Sequence, residues 1–237
     1  MTVDTEHDHR IPPPDHHRDV TGGWLRPAVF GVTDGLVSNG SLIMGVGGSG
    51  ASTHAVIVAG LAGLAAGAFS MATGEYISVA SQTELTQAEI EVEKTELRRV
   101  PKAEEAELAQ VYIERGVEPA LAKEVARQLS ANPEEAWRVH VREELGVDPD
   151  DLPSPWTAAI SSFLSFTLGA LLPLLPFLLG ADTLVATAVL TGAGLFGAGA
   201  AVSRFTSRTW FYSGARQFLL GGAAAALTYA IGSAVGA

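Results

Sequence analysis

Three side chains inside long apolar segments carry chemistry that helix packing does not require. Asp34 and Glu75 are carboxylates within the apolar runs 27–46 and 54–80, and Met71 lies four residues before Glu75. Residues four apart share a helix face, so the Met71 thioether and the Glu75 carboxylate project together. Carboxylates at membrane depth typically mark ion paths, and a thioether beside an oxygen favours a first-row transition ion over Mg²⁺ or Ca²⁺. We therefore predict a transition-metal path, the alternative being interfacial carboxylates within reach of water.

A second group of carboxylates lies on polar segments between residues 84 and 151. Two predicted helices each carry glutamates three residues apart, and a third carries a histidine beside two glutamates. The candidate metal ligands are Glu93, Glu96, Glu104, Glu107, His140, Glu143 and Glu144. Pairs spaced i,i+3 project from one helix face, so converging helices would form a multi-carboxylate cation site. The alternative is a solvated acidic surface without a bound ion.

Five apolar segments are long enough to span a bilayer, which predicts an all-α, polytopic membrane protein. They are 27–46, 54–80, 156–180, 183–202 and 218–237. The second continues without Pro or Gly into the acidic stretch, which predicts one long helix leaving the membrane. The predicted organisation is a tail over 1–23, spans one and two in 24–83, a cytoplasmic acidic helical metal-binding insert in 84–152, and spans three to five in 153–237.

Charge is segregated along the chain. The formal net charge is −11 although only 17% of residues are charged, and most of the acids lie in the insert. Such a field repels nucleic acid and attracts cations. The Arg and Lys residues all fall on one side of the predicted spans, which places the N-terminus and the insert in the cytoplasm. The chain has no cysteine, which excludes thiolate metal sites.

The polar start of the chain lacks apolar periodicity and is predicted to be disordered rather than a signal peptide. Its E-x-x-H pattern, Glu6 to His9, and the adjacent His16 and His17 are more often chance than a metal site. A ferritin-like iron oxidase would need paired E-x-x-H motifs on packed helices. The E-x-x-H pattern of this sequence occurs once, in the tail, so an enzyme of this type is disfavoured. A non-transporting scaffold with a partner-binding insert is disfavoured because it needs no intramembrane carboxylate such as Asp34.

Three segments resemble the vacuolar iron transporter family, in its bacterial-type form. They are GVTDGLVSN at 31–39, GLAAGAFSMATGEYIS at 63–78 and RQFLLGGAAAALTYAIG at 216–232. The resemblance covers about residues 24–237. It implies a homodimer, in a bacterial plasma membrane, that exports Fe²⁺ from the cytoplasm in exchange for protons and holds no prosthetic group. Mn²⁺ or a broader set of divalent ions, including Co²⁺ and Zn²⁺, is the alternative cargo.

The resemblance also implies roles for individual residues. Asp34 and Met71 match the family's translocation path. The positions that match its ion-capturing glutamates are Glu93, Glu96, Glu104, Glu107 and Glu144. Two positions depart from the plant-type pattern: Gly63 stands in place of a glutamate, and His140 in place of a methionine. Glu75 is expected to take over part of the role of the missing glutamate.

Overall fold

The computed structural model describes residues 23–236, so most of the predicted tail, including Glu6, His9, His16 and His17, lies outside the described residues. The described chain is helical and contains no strand between these limits, which confirms the all-α prediction. Its helices are α1 (Leu25–Gly48), α2 (Thr53–Arg99), α3 (Pro101–Glu114), α4 (Pro119–Leu129), α5 (Pro133–His140), α6 (Pro155–Leu178), α7 (Leu184–Val202) and α8 (Trp210–Gly236). A π-helical turn covers Val141–Leu145, and a 3₁₀ turn covers Ser203–Phe205.

Five helices of the described chain, α1, α2, α6, α7 and α8, are long and apolar enough to cross a membrane. Helix α1 is central and packs against the other four. Its contact with α6 is close because both helices present glycine: a Cβ on Gly35 would overlap the Phe166 carbonyl, and one on Gly169 would overlap the Val32 carbonyl. Such small-residue contacts are typical of packing between membrane helices.

Helix α2 joins the membrane bundle to the insert. It begins after Ser52, whose hydroxyl accepts a hydrogen bond from the Ala55 N–H at 3.3 Å. Its 47 residues span about 70 Å at 1.5 Å per residue, more than twice the ~30 Å hydrocarbon core of a bilayer. The apolar half can lie in the membrane only if the polar half, which carries Glu93, extends into water. The prediction of one long helix over these residues is confirmed.

The insert between α2 and α6 consists of three short helices. Each begins with proline at its first position, Pro101, Pro119 and Pro133, where the missing N–H costs no helical hydrogen bond. A small apolar core of Leu108, Ala109 and Ala126 holds α3 against α4, with Tyr112, Leu129 and Val139 around it. The acidic side chains are therefore attached to a packed domain.

Two sequence-based boundaries are corrected by the structure. The third predicted helix of the insert, which carries His140, Glu143 and Glu144, leaves α geometry after His140 and passes through the π turn to Gly146, which has a left-handed conformation with φ of 67°. The last span, predicted from residue 218, already begins at Trp210. Its first turn is held by Trp210 and Phe211, whose rings contact Phe196 of α7 at 5.9 and 6.1 Å between centroids.

Candidate metal sites

A small cavity, open on one side, lies between three helices of the bundle and brings together the predicted path residues Asp34 and Met71. Its volume is about 200 Å³, and it lies between α1, α2 and α6. It is lined by Asp34, Ser38, Asn39, Leu42, Gly63, Gly67, Ser70, Met71 and Phe166. A carboxylate, two hydroxyls, an amide and a thioether thus surround one space, and a divalent cation could bind oxygen and sulfur atoms there together.

Helix α1 supplies the oxygen-rich wall of this cavity. Asp34 and Ser38 lie one helical turn apart, and the Ser38 hydroxyl donates to Asp34 Oδ1 at 2.6 Å. Asn39, only 2% exposed, donates from Nδ2 to the Ala170 carbonyl of α6 at 2.6 Å. On the opposite wall, Gly63 and Gly67 of α2 carry no side chain and so leave room for the cavity.

Glu75, the third predicted path residue, lines a different space. It borders a groove of about 640 Å³ that runs from the start of α1 to the polar half of α2, with Thr33 and Gln82 also on its wall. Because Thr33 and Asp34 are consecutive, α1 separates this groove from the smaller cavity. The structure therefore places Glu75 beside the Asp34–Met71 cavity and not within it.

In the insert, Glu93, Glu104 and His140 converge from three segments distant in sequence. One ligand atom from each lies within 4.8 Å of the others, and all three residues are buried. His140 Nδ1 is 3.0 Å from Glu93 Oε1 and 3.0 Å from Glu144 Oε1. The other ring nitrogen, Nε2, is buried without a hydrogen-bond partner within residues 23–236. We call Glu93, Glu104, His140 and Glu144 the insert cluster.

Burial and like charge together make the insert cluster electrostatically strained. Burial, followed by the charges of the neighbouring carboxylates with Glu144 foremost, raises the pKa of Glu93 to about 7. Burial likewise raises the pKa of Glu104 and of Glu144, and it lowers the pKa of His140. Near neutral pH the imidazole is therefore uncharged and able to bind a metal, while the carboxylates compete for protons. A divalent cation would relieve this repulsion.

The remaining predicted ligands divide into two kinds. Glu96 and Glu107 are close enough for their charges to raise the pKa of Glu93, so they surround the cluster. Glu143 instead forms an ion pair with Arg115 and accepts a hydrogen bond from the Tyr112 hydroxyl at 3.1 Å. The sequence analysis grouped Glu143 with His140 and Glu144 because all three lie on one predicted helix. The structure directs it elsewhere.

Asn39 is the cavity residue that the sequence analysis did not single out. A buried amide deep in an apolar segment is a signal comparable with Asp34, but asparagine carries no charge and is common in helix packing. Its position five residues after Asp34 does not by itself predict a shared cavity. The orientation of the amide is determined by the Ala170 carbonyl of α6, a contact that the sequence does not show.

Comparison with known proteins gives a consistent set of relatives. The model of the VIT family matches residues 25–233. The protein named vacuolar iron transporter from Acanthamoeba castellanii is 41% identical over 186 residues, 75% of this chain and 67% of its own. Vacuolar iron transporter 1 from Arabidopsis thaliana is 32% identical over 227 residues, 93% of this chain and 91% of its own. Vacuolar iron transporter 1 from Oryza sativa subsp. japonica is 33% identical over 232 residues, 97% and 91%.

Proposed function

Because the chain belongs to the VIT family, we propose that it is a transporter that exports ferrous iron from the cytoplasm in exchange for protons. Its relatives are named iron transporters, which favours transport over enzymatic catalysis. The observation that carries the proposal is the cavity shared by Asp34 and Met71, within a bundle of helices able to span a membrane.

Exchange follows from the chemistry of the single carboxylate in that cavity. A carboxylate binds Fe²⁺ only when it is deprotonated, so metal and proton compete for the same oxygen atoms. If Asp34 accepts a proton when the ion leaves, the return of the proton needs no second pathway. Glu75, in the adjoining groove, offers a further carboxylate for the ion between the insert and Asp34.

The insert cluster would capture ions before they enter the membrane. Its buried carboxylates and neutral imidazole suit a first-row divalent ion, and the acidic surface around it would raise the local cation concentration. Glu96 and Glu107 contribute to that field. Since α2 carries both Met71 and Glu93 in one continuous helix, the two sites have a direct mechanical connection.

Orientation and assembly complete the proposal. We propose that the N-terminus and the insert face the cytoplasm, since the Arg and Lys residues lie on one side of the spans. The bacterial-type pattern, with Gly63 and Glu75, supports a bacterial plasma membrane. Helix α8 exposes apolar side chains along its length, at Leu219, Leu220, Leu227, Ile231 and Val235. Such a surface can face lipid or a second copy, and we propose a homodimer.

Mn²⁺ is the second candidate cargo, with Co²⁺ and Zn²⁺ completing a broader alternative. The oxygen atoms of Asp34, Ser38 and Asn39 suit Mn²⁺ as well as Fe²⁺, whereas the sulfur of Met71 favours softer ions. The same sulfur makes Mg²⁺ and Ca²⁺ poor competitors. Transport assays should therefore include Fe²⁺, Mn²⁺ and Mg²⁺ in parallel.

The test is metal uptake into proteoliposomes with an acidic lumen, recorded with an internal metal-sensitive dye and an internal pH dye. We expect Fe²⁺ entry coupled to proton exit, little Mg²⁺ entry, and at least a hundredfold slower Fe²⁺ entry for Asp34→Asn, because the amide cannot exchange a proton for the ion. Equal Fe²⁺ flux in wild type and Asp34→Asn would exclude this pathway. Fe²⁺ flux unaffected by the pH gradient would exclude the exchange.

A further inference from the structure

We propose that Asn39 provides its side-chain oxygen as a neutral ligand to the cation bound in the Asp34–Met71 cavity. This inference rests on the proposed function and adds a residue to its site. Asn39 is 2% exposed and lines the cavity, and its Oδ1 is buried without a hydrogen-bond partner in the described part of the chain. A buried amide oxygen left unpaired is unfavourable, and a bound cation accounts for it.

The orientation of the amide is determined by its other atom. The Ala170 carbonyl can only accept, so the nitrogen of Asn39 must face it, and their separation is 2.6 Å. The oxygen is thereby turned towards α2, where Gly63 also lines the cavity. A Cβ placed on Gly63 would come within 2.8 Å of Oδ1, and within 2.5 Å of the flexible end of Leu42, so glycine keeps the space in front of this oxygen open.

The chemistry of an amide oxygen differs from that of Asp34 in one respect that matters for exchange. It is a hard oxygen ligand that does not take up a proton in the physiological range, whereas a carboxylate does. The Asn39 oxygen is therefore available to the ion whether or not Asp34 is protonated. It contributes to the choice of ion, and Asp34 contributes the coupling to protons.

The same bundle contains a residue, Thr187, whose buried hydrogen bond resembles that of Asn39 and has only a structural role. Thr187 of α7 is fully buried, and its hydroxyl donates to the Pro173 carbonyl of α6 at 3.0 Å. Both side chains thus tie a neighbouring helix to α6 through a carbonyl oxygen. Thr187 is not among the residues that line the cavity, so it provides a control for the hydrogen bond alone.

The main experiment crowds Oδ1 without altering Asn39. Gly63→Ala places a methyl group in front of the oxygen, while Gly74→Ala, on the same helix, places one where no described atom lies within 4 Å. Mn²⁺ binding to the full chain is measured by electron paramagnetic resonance in a Glu93→Gln/Glu104→Gln background, which removes the insert cluster. Transport is measured with the same variants in proteoliposomes.

We expect Gly63→Ala to weaken Mn²⁺ binding by about tenfold or more and to raise the KM for transport similarly, with Gly74→Ala unchanged. Equal binding by the two alanine variants would overturn the inference. If Gly63→Ala binds Mn²⁺ more weakly but neither wild type nor any variant transports metal in proteoliposomes, Asn39 remains a ligand and the proposed transport is rejected. The two proposals can therefore fail separately.

A second pair of variants separates ligation from packing. Asn39→Leu and Thr187→Val each remove one buried hydrogen bond to an α6 carbonyl, so both should lower the melting temperature by comparable amounts. Only Asn39→Leu should weaken Mn²⁺ binding, again by about tenfold or more. If Thr187→Val weakens binding as much, or if folded Asn39→Leu binds like the unsubstituted chain, Asn39 is a packing residue and the inference is wrong.

Discussion

The two candidate metal sites use opposite solutions to the cost of holding a cation. The insert cluster gathers the carboxylates of Glu93, Glu104 and Glu144 around one buried imidazole. The membrane cavity contains a single carboxylate, Asp34, and is otherwise lined by neutral donors and apolar side chains. Each extra charge inside a bilayer is costly. The insert lies outside the apolar spans and holds several carboxylates, whose pKa values are raised as a result.

Under the proposed function, this difference in charge matches a difference in task. A site with several carboxylates neutralises a divalent ion fully and holds it, which suits capture from a dilute pool. A site with one carboxylate leaves the bound ion with excess positive charge, and protonation of that carboxylate leaves only neutral ligands. Release is then easy, as passage requires. Variants that change one site at a time test this difference between the two sites.

The largest expected effect concerns affinity at the insert. Glu104→Gln removes a buried carboxylate from the insert cluster and should weaken metal binding there by roughly 10- to 100-fold. Because the membrane cavity is unchanged, the KM for transport should rise while the maximal rate at saturating metal stays within about twofold. Titration calorimetry with Mn²⁺ on the full chain, together with proteoliposome kinetics, measures both quantities.

Glu105→Gln is the matched control for this prediction. It removes the same charge from the next position of α3, outside the insert cluster. It should change metal affinity far less than Glu104→Gln, since only the general electrostatic field is reduced. Comparable losses from both variants would mean that the insert attracts ions by net charge alone, and the contrast between a capture site and a passage site would disappear.

The next effect concerns stability without metal. Burial and the neighbouring carboxylates together raise the pKa of Glu93 to about 7, so the folded state favours the protonated acid. Its contribution to stability is present below pH 4.5 and is lost as pH rises through about 7. Glu93→Gln does not titrate, so the metal-free variant should exceed wild type in unfolding free energy at pH 8 by on the order of 2 kcal/mol. Near pH 4.5 the difference should be small.

Thermal melts of the full chain in detergent with a chelator, at pH 5 and pH 8, measure this difference. Added Mn²⁺ should stabilise wild type at pH 8 and stabilise Glu93→Gln much less. If the difference in unfolding free energy between Glu93→Gln and wild type became smaller as pH rises, the ionised Glu93 would not destabilise the folded state.

The sequence predicted the helical class and the long second helix because both follow from local patterns. Apolar length identifies membrane spans, and the absence of Pro and Gly over residues 81–100 indicates that the second span continues as one helix into the acidic stretch. Boundaries that depend on contacts were less well predicted. Helix α8 begins at Trp210 because its aromatic side chains pack against Phe196, a contact that apolar periodicity does not contain.

The sites were predictable in residue type but not in grouping. A carboxylate at Asp34 is conspicuous in an apolar segment, and the i,i+3 glutamates indicate a shared face. Which of them meet depends on how α3 and the π turn pack against α2. The uncharged ligand candidate Asn39 becomes visible only when α6 is seen to bind its amide nitrogen. Which residues meet in space is decided by tertiary structure, and so are the different partners of Glu143 and Glu144.

The smallest expected effect tests that separation, using two neighbouring glutamates of the π turn. Glu144 Oε1 lies 3.0 Å from His140 Nδ1, whereas Glu143 pairs with Arg115. A π turn takes more residues per turn than an α-helix, which favours Glu144 over Glu143 at the position above His140. Glu144→Gln should therefore weaken metal affinity by about tenfold, since it removes a partner that orients the imidazole.

Glu143→Gln should instead leave metal affinity within about twofold of wild type and lower the unfolding free energy by less than about 1 kcal/mol, as expected for a partly exposed ion pair. Calorimetric titration and thermal melts of both variants decide between the two roles. Equal loss of affinity would mean that the turn rearranges when metal binds and brings both carboxylates to the ion. The insert would then be a flexible chelator, and its contrast with the membrane cavity would lie in motion as well as in charge.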